Sequence, residues 1–179
     1  ATSGTIACNG GSTTVTVTAT GGTSPYTGTG SFTRTTGTYS FTVTDSRGCT
    51  GTASVTITQP TAVVVAATAG TISCNGGSTS VTVSATGGTS PYTGTGSFTR
   101  TAGTYSFTVT DSRGCTGSSS VTITQPTAIS LSLSKVDATT VGGTNGSATA
   151  VATGGTSPYT YSWNTTPIQT TSTASNLAA

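Results

Sequence analysis

The block Gly-Gly-Thr-Ser-Pro-Tyr occurs three times, at 21–26, 87–92 and 154–159, with shifts of 66 and then 67 residues. The shift of 66 also carries Cys8 onto Cys74, Cys49 onto Cys115 and Pro60 onto Pro126. A period of this length is too long for one coil of a solenoid and suits a small domain repeated in tandem. Gln59-Pro60-Thr61-Ala62 and Gln125-Pro126-Thr127-Ala128 fall between copies. Proline at such a place ends the strand before it and stiffens a short junction. Three repeats are expected: 1–60, which lacks its first strand; 61–126, which is complete; and 127–179, which lacks its last strands. The whole then reads as a segment of a longer array.

Inside each copy, Val and Ile alternate with Thr or Ser. With 50 Thr, 26 Ser and 25 Gly in 179 residues, the composition resembles a linker, but disordered chains are poor in β-branched residues and rich in net charge. Period-2 alternation of β-branched residues marks half-buried strands instead. In the middle copy, strands are expected at 63–69, 79–85, from Pro91-Tyr92, near 97–99, at 105–110 and at 118–124. Asp111-Ser112-Arg113-Gly114 turns the last hairpin. Val81, Val83, Ala85, Tyr92 and Phe98 then point inward, as do Tyr105, Phe107, Val109, Val121 and Ile123. Short strands at this density predict an all-β protein of tandem, small, immunoglobulin-like antiparallel β-sandwich repeats with a period of about 66 residues.

The inventory of chemical groups excludes most functions. There is no His and no Glu, Lys135 is the single lysine, and the acids are Asp45, Asp111 and Asp137. Acid–base catalysis and metal binding draw on clusters of just these residues, so no enzyme activity, cofactor or metal is expected. A net charge of +2 gives no footprint for nucleic acid. No apolar run is long enough for membrane insertion by a helix. Arg34, Arg100 and Lys135 read as solvated surface charges. Asp45 and Asp111 read as turn residues bonded to their own backbone. Tyr26, Tyr92, Tyr159 and Trp163 read as core, with a sugar-stacking platform as the competing reading.

Cys8, Cys49, Cys74 and Cys115 lack metal-ligand spacing and are expected to form disulfides. Strands that alternate up and down place the turn of Cys8 and the hairpin turn of Cys49 at one end. Cys8–Cys49 and Cys74–Cys115, each within its own repeat, are the expected pairs. The third copy has Val141 where the others have Cys.

Several ordered motifs carry a family resemblance. Cys-Asn-Gly-Gly, Gly-Gly-Thr-Ser-Pro-Tyr, Gly-Thr-Tyr-Ser-Phe-Thr-Val-Thr-Asp-Ser-Arg-Gly-Cys and Thr-Ile-Thr-Gln-Pro resemble the SprB-type repeat of Bacteroidota cell-surface and gliding adhesins. The third copy, with Tyr159-Thr160-Tyr161-Ser162-Trp163 and Ala174-Ser175-Asn176-Leu177-Ala178-Ala179, is closest to it. The resemblance implies an extracellular array exported through a terminal signal, with no catalytic residues to transfer. The O-glycan acceptor pattern of that group, Asp, then Ser or Thr, then an aliphatic residue or Thr, fails at Arg47 and Arg113.

The expected function is structural: a segment of an extracellular bacterial fibre or adhesin stalk that self-associates or packs laterally. Its hydroxyl faces, with Thr14, Thr16, Thr18, Thr82, Thr122 and Thr124 as candidate carriers, are suited to covalent O-linked glycans, which solubilise a surface that has only 4% charged residues. The alternative is a carbohydrate-binding adhesion module.

Overall fold

A computed structural model describes residues 1–178. It is all-β, as the alternation predicts, with no helix among the described residues. By contact the chain divides into two compact units, and the division runs through the second repeat. One unit comprises Ala1–Thr68, Thr82–Phe98 and Tyr105–Val121; the other comprises Ala69–Val81, Thr99–Thr104 and Thr122–Ala179.

In the first repeat, β1 (Thr2–Ser3), β2 (Thr13–Val17) and β3 (Gly30–Arg34) make one antiparallel sheet. β4 (Gly37–Thr44) and β5 (Thr50–Ile57) make a hairpin. Val15 lies opposite Phe32, and Thr14 and Thr16 lie opposite Thr33 and Ser31. Because successive side chains point to opposite faces, this register sends Val15 and Val17 inward, with Thr13 half-buried on the same face, and turns Thr14, Thr16 and Thr33 to water. Ile6, Val15, Val17, Phe41 and Ile57 form the buried core, with Phe32, Tyr39, Val43 and Val55 packed around it. Each such aliphatic or aromatic side chain contributes about 1.5–3 kcal/mol by leaving water. Phe32 and Phe41 meet with ring centroids 5.2 Å apart.

The second repeat repeats this order with β6 (Val64–Ala69), β7 (Thr79–Thr86), β8 (Tyr92–Thr93), β9 (Gly96–Arg100), β10 (Gly103–Asp111) and β11 (Thr116–Ile123). The sheets run β6-β7-β9 and β11-β10-β8. Val81, Val83, Phe107, Val109 and Ile123 are buried, while Ala85, Tyr92, Phe98, Tyr105 and Val121 are half-buried. Ile6 and Ile72 are also buried. They precede the turn cysteines, outside any alternating run, and so carry no periodic signal. On the outer faces, threonine hydroxyls pair across strands, Thr38 with Thr56 and Thr104 with Thr122, both at 3.0 Å.

The third repeat supplies β12 (Ser130–Val136), β13 (Gly146–Thr153) and β14 (Thr173–Leu177), one antiparallel sheet in that order. Among the described residues no second sheet covers it. Leu131 and Leu133 therefore remain 58% and 66% exposed.

Two charges depart from expectation, and one of them, Arg100, is half-buried with its guanidinium donating to the Thr99 carbonyl at 2.9 Å. Arg34 is half-buried rather than solvated, because its guanidinium lies 5.5, 5.4 and 5.8 Å from the ring centroids of Phe32, Tyr39 and Phe41, the geometry of a cation–π contact. Lys135 is exposed and pairs with Asp137 at 2.8 Å.

Candidate functional site

The repeated motifs meet at two places, a loop anchor inside each of the first two repeats and a clamp beside each Gln-Pro junction. In the second repeat, the Asp111 carboxylate accepts backbone N–H bonds from Arg113 and Cys115 at 2.9 and 2.8 Å through Oδ1, and from Thr89 at 2.9 Å through Oδ2. One side chain thus shapes its own hairpin turn and ties it to the Gly-Gly-Thr-Ser-Pro-Tyr loop. The Tyr92 hydroxyl closes that loop by donating to the Gly87 carbonyl. Gly88 must lack a side chain, since its φ is +59° and a Cβ would sit 2.7 Å from Asp111 Oδ2. Asp45 repeats the arrangement with Thr23, Arg47 and Cys49. The expected turn role of both aspartates is therefore present and extends to a second loop.

For Asp45, N–H bonds from Thr23 and Cys49 hold the carboxyl below its usual range. For Asp111, burial pulls the pKa up, and N–H bonds from Cys115, Thr89 and Arg113 with the Arg113 charge outweigh it. Folded-state values below the unfolded value of about 3.9 give stability that is present above that pH and lost as pH falls through the folded values. The melting temperature should therefore be level from neutrality to about pH 4 and fall below it. Asp45→Asn/Asp111→Asn should flatten the acid limb; an unchanged limb in the double variant would remove these groups as its cause.

At the first junction, Asn9 Nδ2 donates to the Pro60 carbonyl at 3.1 Å, and Gly10 N–H donates to Gln59 Oε1 at 2.8 Å. Asn75 with Pro126 (3.0 Å) and Gly76 with Gln125 (2.8 Å) repeat the clamp. The Cys-Asn-Gly turn of a repeat is thereby held against the Gln-Pro segment that leads into the next repeat.

This clamp corrects the expected disulfides. Cys8 is bonded to Cys115, 107 residues away, with Cα atoms 5.5 Å apart, and Cys49 and Cys74 are exposed free thiols. The intra-repeat pairs Cys8–Cys49 and Cys74–Cys115 are not formed. The reason is the length of β5. Cys49 precedes its first residue, whereas Cys8 is fastened beside Gln59-Pro60, just past its last. Eight strand residues span about 26 Å, far beyond the Cα separation a disulfide bridges. The turn of Cys8 is instead close to the strand that opens the next repeat, and the hairpin of that repeat brings Cys115 to it. The sequence signal was present in part: a strand separates Cys49 from the Gln-Pro junction.

Thr14, Thr16, Thr18, Thr82, Thr122 and Thr124 are all exposed. Thr14, Thr16, Thr82 and Thr122 lie on strands, and Thr18 and Thr124 directly follow strand ends. They do not converge on one site. Tyr159 and Trp163 are half-buried, in an open groove of about 460 Å³ that Leu131, Leu133 and Ala150 also line. The Tyr159 hydroxyl donates to Gly154 O, and Trp163 Nε1 donates to Thr171 O at 2.8 Å, so both polar atoms serve the local fold. No group of three or more metal-ligating side chains exists among the described residues.

Sheets of alternating Thr and Val, Gln-Pro junctions and a cystine between successive copies define an all-β protein of tandem repeats. Residues 132–167, within the third copy, match the family model of the SprB repeat. No curated protein matches the chain.

Proposed function

We propose that this chain is a structural, non-enzymatic repeat segment of an extracellular bacterial fibre or adhesin stalk. The observation that carries this reading is the junction. A cystine ties the first repeat to the second, and side-chain clamps hold each Cys-Asn-Gly turn on the Gln-Pro segment that leads into the next repeat, which is what a stiff spacer requires and what a flexible linker lacks. The SprB-repeat match within the third copy supports a cell-surface, adhesin-like setting. The exposed threonine faces supply a neutral surface suited to O-linked glycans, and the low charge leaves lateral packing unopposed by repulsion.

The mechanical role has a direct test. Pulling a single molecule by its termini extends only the residues outside the 8–115 loop while the disulfide holds. Reductant should add about 350–390 Å to the final contour length, at 3.3–3.6 Å per residue released. Equal lengths with and without reductant would mean that the bond does not span the junction under load.

The open aromatic groove of the third repeat favours a second reading, a carbohydrate-binding adhesion module. Glycan binding abolished by Trp163→Ala would support it.

A further inference from the structure

Asn-Gly pairs stand at 9–10, 75–76 and 145–146. Glycine after asparagine opens a covalent route that larger residues hinder, because no side chain shields its nitrogen or restricts its backbone. The glycine nitrogen loses its proton and attacks the asparagine Cγ. The Cγ–Nδ2 bond breaks, ammonia leaves, and a cyclic imide remains, which water opens to aspartate or isoaspartate. At the first two pairs the clamp engages both reacting groups. Asn9 Nδ2 donates to the Pro60 carbonyl at 3.1 Å, while the Gly10 N–H donates to Gln59 Oε1 at 2.8 Å. Asn75 and Gly76 make the same bonds to Pro126 and Gln125, at 3.0 and 2.8 Å. Water and space are otherwise at hand. All four residues are exposed, and a Cβ on either glycine would meet nothing within 4 Å. The third pair is built differently. Asn145 Oδ1 accepts the Thr139 N–H at 3.0 Å, its Nδ2 donates to Thr139 Oγ1 at 2.8 Å, and Gly146 is buried at the start of β13.

We propose that Asn9 and Asn75 are deamidation sites whose rate is set by the Gln-Pro clamp, so that each clamp carries an irreversible, hydrolytic release. While the clamp is closed, the asparagine amide and the attacking nitrogen are both held by other partners, and the imide forms only from the opened turn. The product cannot remake the bonds. Deamidation puts a carboxylate oxygen where Nδ2 met the proline carbonyl, so acceptor faces acceptor, and a polar group set against no donor costs free energy. Isoaspartate also adds a methylene to the backbone, which carries the following N–H off its glutamine. Water is the one co-reactant. An intact clamp therefore preserves itself, and one that stays open is lost for good. This chemistry depends on the clamps alone and holds whether or not the chain serves as a stalk.

The experiment incubates the full chain, Gln59→Ala and Gln125→Ala in neutral buffer, then reduces each and maps its tryptic peptides by mass and retention. Asn9 falls on fragment 1–34, Asn75 on 48–100 and Asn145 on 136–179, so the three sites are read separately. In the parent chain, Asn9 and Asn75 should convert more slowly than in the same fragments cut free. Gln59→Ala should speed Asn9 about fivefold, the rise in the opened population that loss of one hydrogen bond brings. Asn75 and Asn145 should keep their parent rates in that variant, which shows that the fold is intact. Gln125→Ala should speed Asn75 and leave Asn9 and Asn145 unchanged. Parent rates equal to those of the free fragments, glutamine variants that change neither site, or acceleration shared by all three asparagines in both variants would overturn the proposal.

Discussion

Cys8→Ser or Cys115→Ser should each destabilise the chain by about 4–5 kcal/mol, while Cys49→Ser leaves stability unchanged. The magnitude follows from the loop. Closing 107 residues removes more freedom from the unfolded chain than the loop of about 40 residues that an intra-repeat bond would close, and the chain-entropy estimate rises accordingly. The loss is a large share of the stability of a small domain. Guanidinium unfolding of the oxidised variants measures it. In reductant the parent should fall to the level of Cys8→Ser. A parent that loses nothing on reduction, or a Cys49→Ser variant that loses as much as Cys8→Ser, would contradict the assignment.

Phe41→Ala should cost about 3–5 kcal/mol, the range for emptying a buried aromatic site. Phe41 is 9% exposed and belongs to the five-residue buried core of the first repeat, with Phe32 against it. Removing its ring takes contacts from both sheets at once and leaves a void that short, hydrogen-bonded strands cannot close. Leu133→Ala is the informative contrast. Leucine is also a large apolar residue, but this one is 66% exposed on an uncovered sheet face, so its truncation should cost less than about 1 kcal/mol. Comparable losses at the two positions, read from the same denaturation series, would mean that the third repeat hides its leucines in the native material.

These contrasts also mark what the sequence made legible. Strands were readable wherever Thr-Val alternation persisted: the expected 79–85 and 105–110 are within the observed β7 and β10. Period 2 assigns a face to every residue without reference to any partner, so Val81, Val83, Phe107, Val109 and Ile123 could be placed inside. The alternation says nothing about isolated residues, and Ile6 and Ile72 escaped it. Nor does it report which end of a repeat a turn occupies, because that depends on side-chain clamps such as Asn9 to Pro60 and Gln59 to Gly10. The cysteine pairing went wrong there. Asp111 shows the same limit: its turn role was readable from Asp-Ser-Arg-Gly, but its bond to Thr89, 22 residues away, and its burial exist only after the loop folds back. Arg34 read as a surface charge because no local pattern shows three rings gathering under it.

The central claim, a covalent bond between successive repeats, is tested most directly by tryptic mapping of the oxidised protein with free thiols blocked beforehand. Cleavage after Arg34, Arg47, Arg100, Arg113 and Lys135 places Cys8 on fragment 1–34, Cys115 on 114–135, and both Cys49 and Cys74 on 48–100. The account predicts 1–34 and 114–135 as one linked species that separates on reduction. Fragment 48–100 joined to either of the others would mean that Cys8 or Cys115 is bonded to Cys49 or Cys74, and would contradict it.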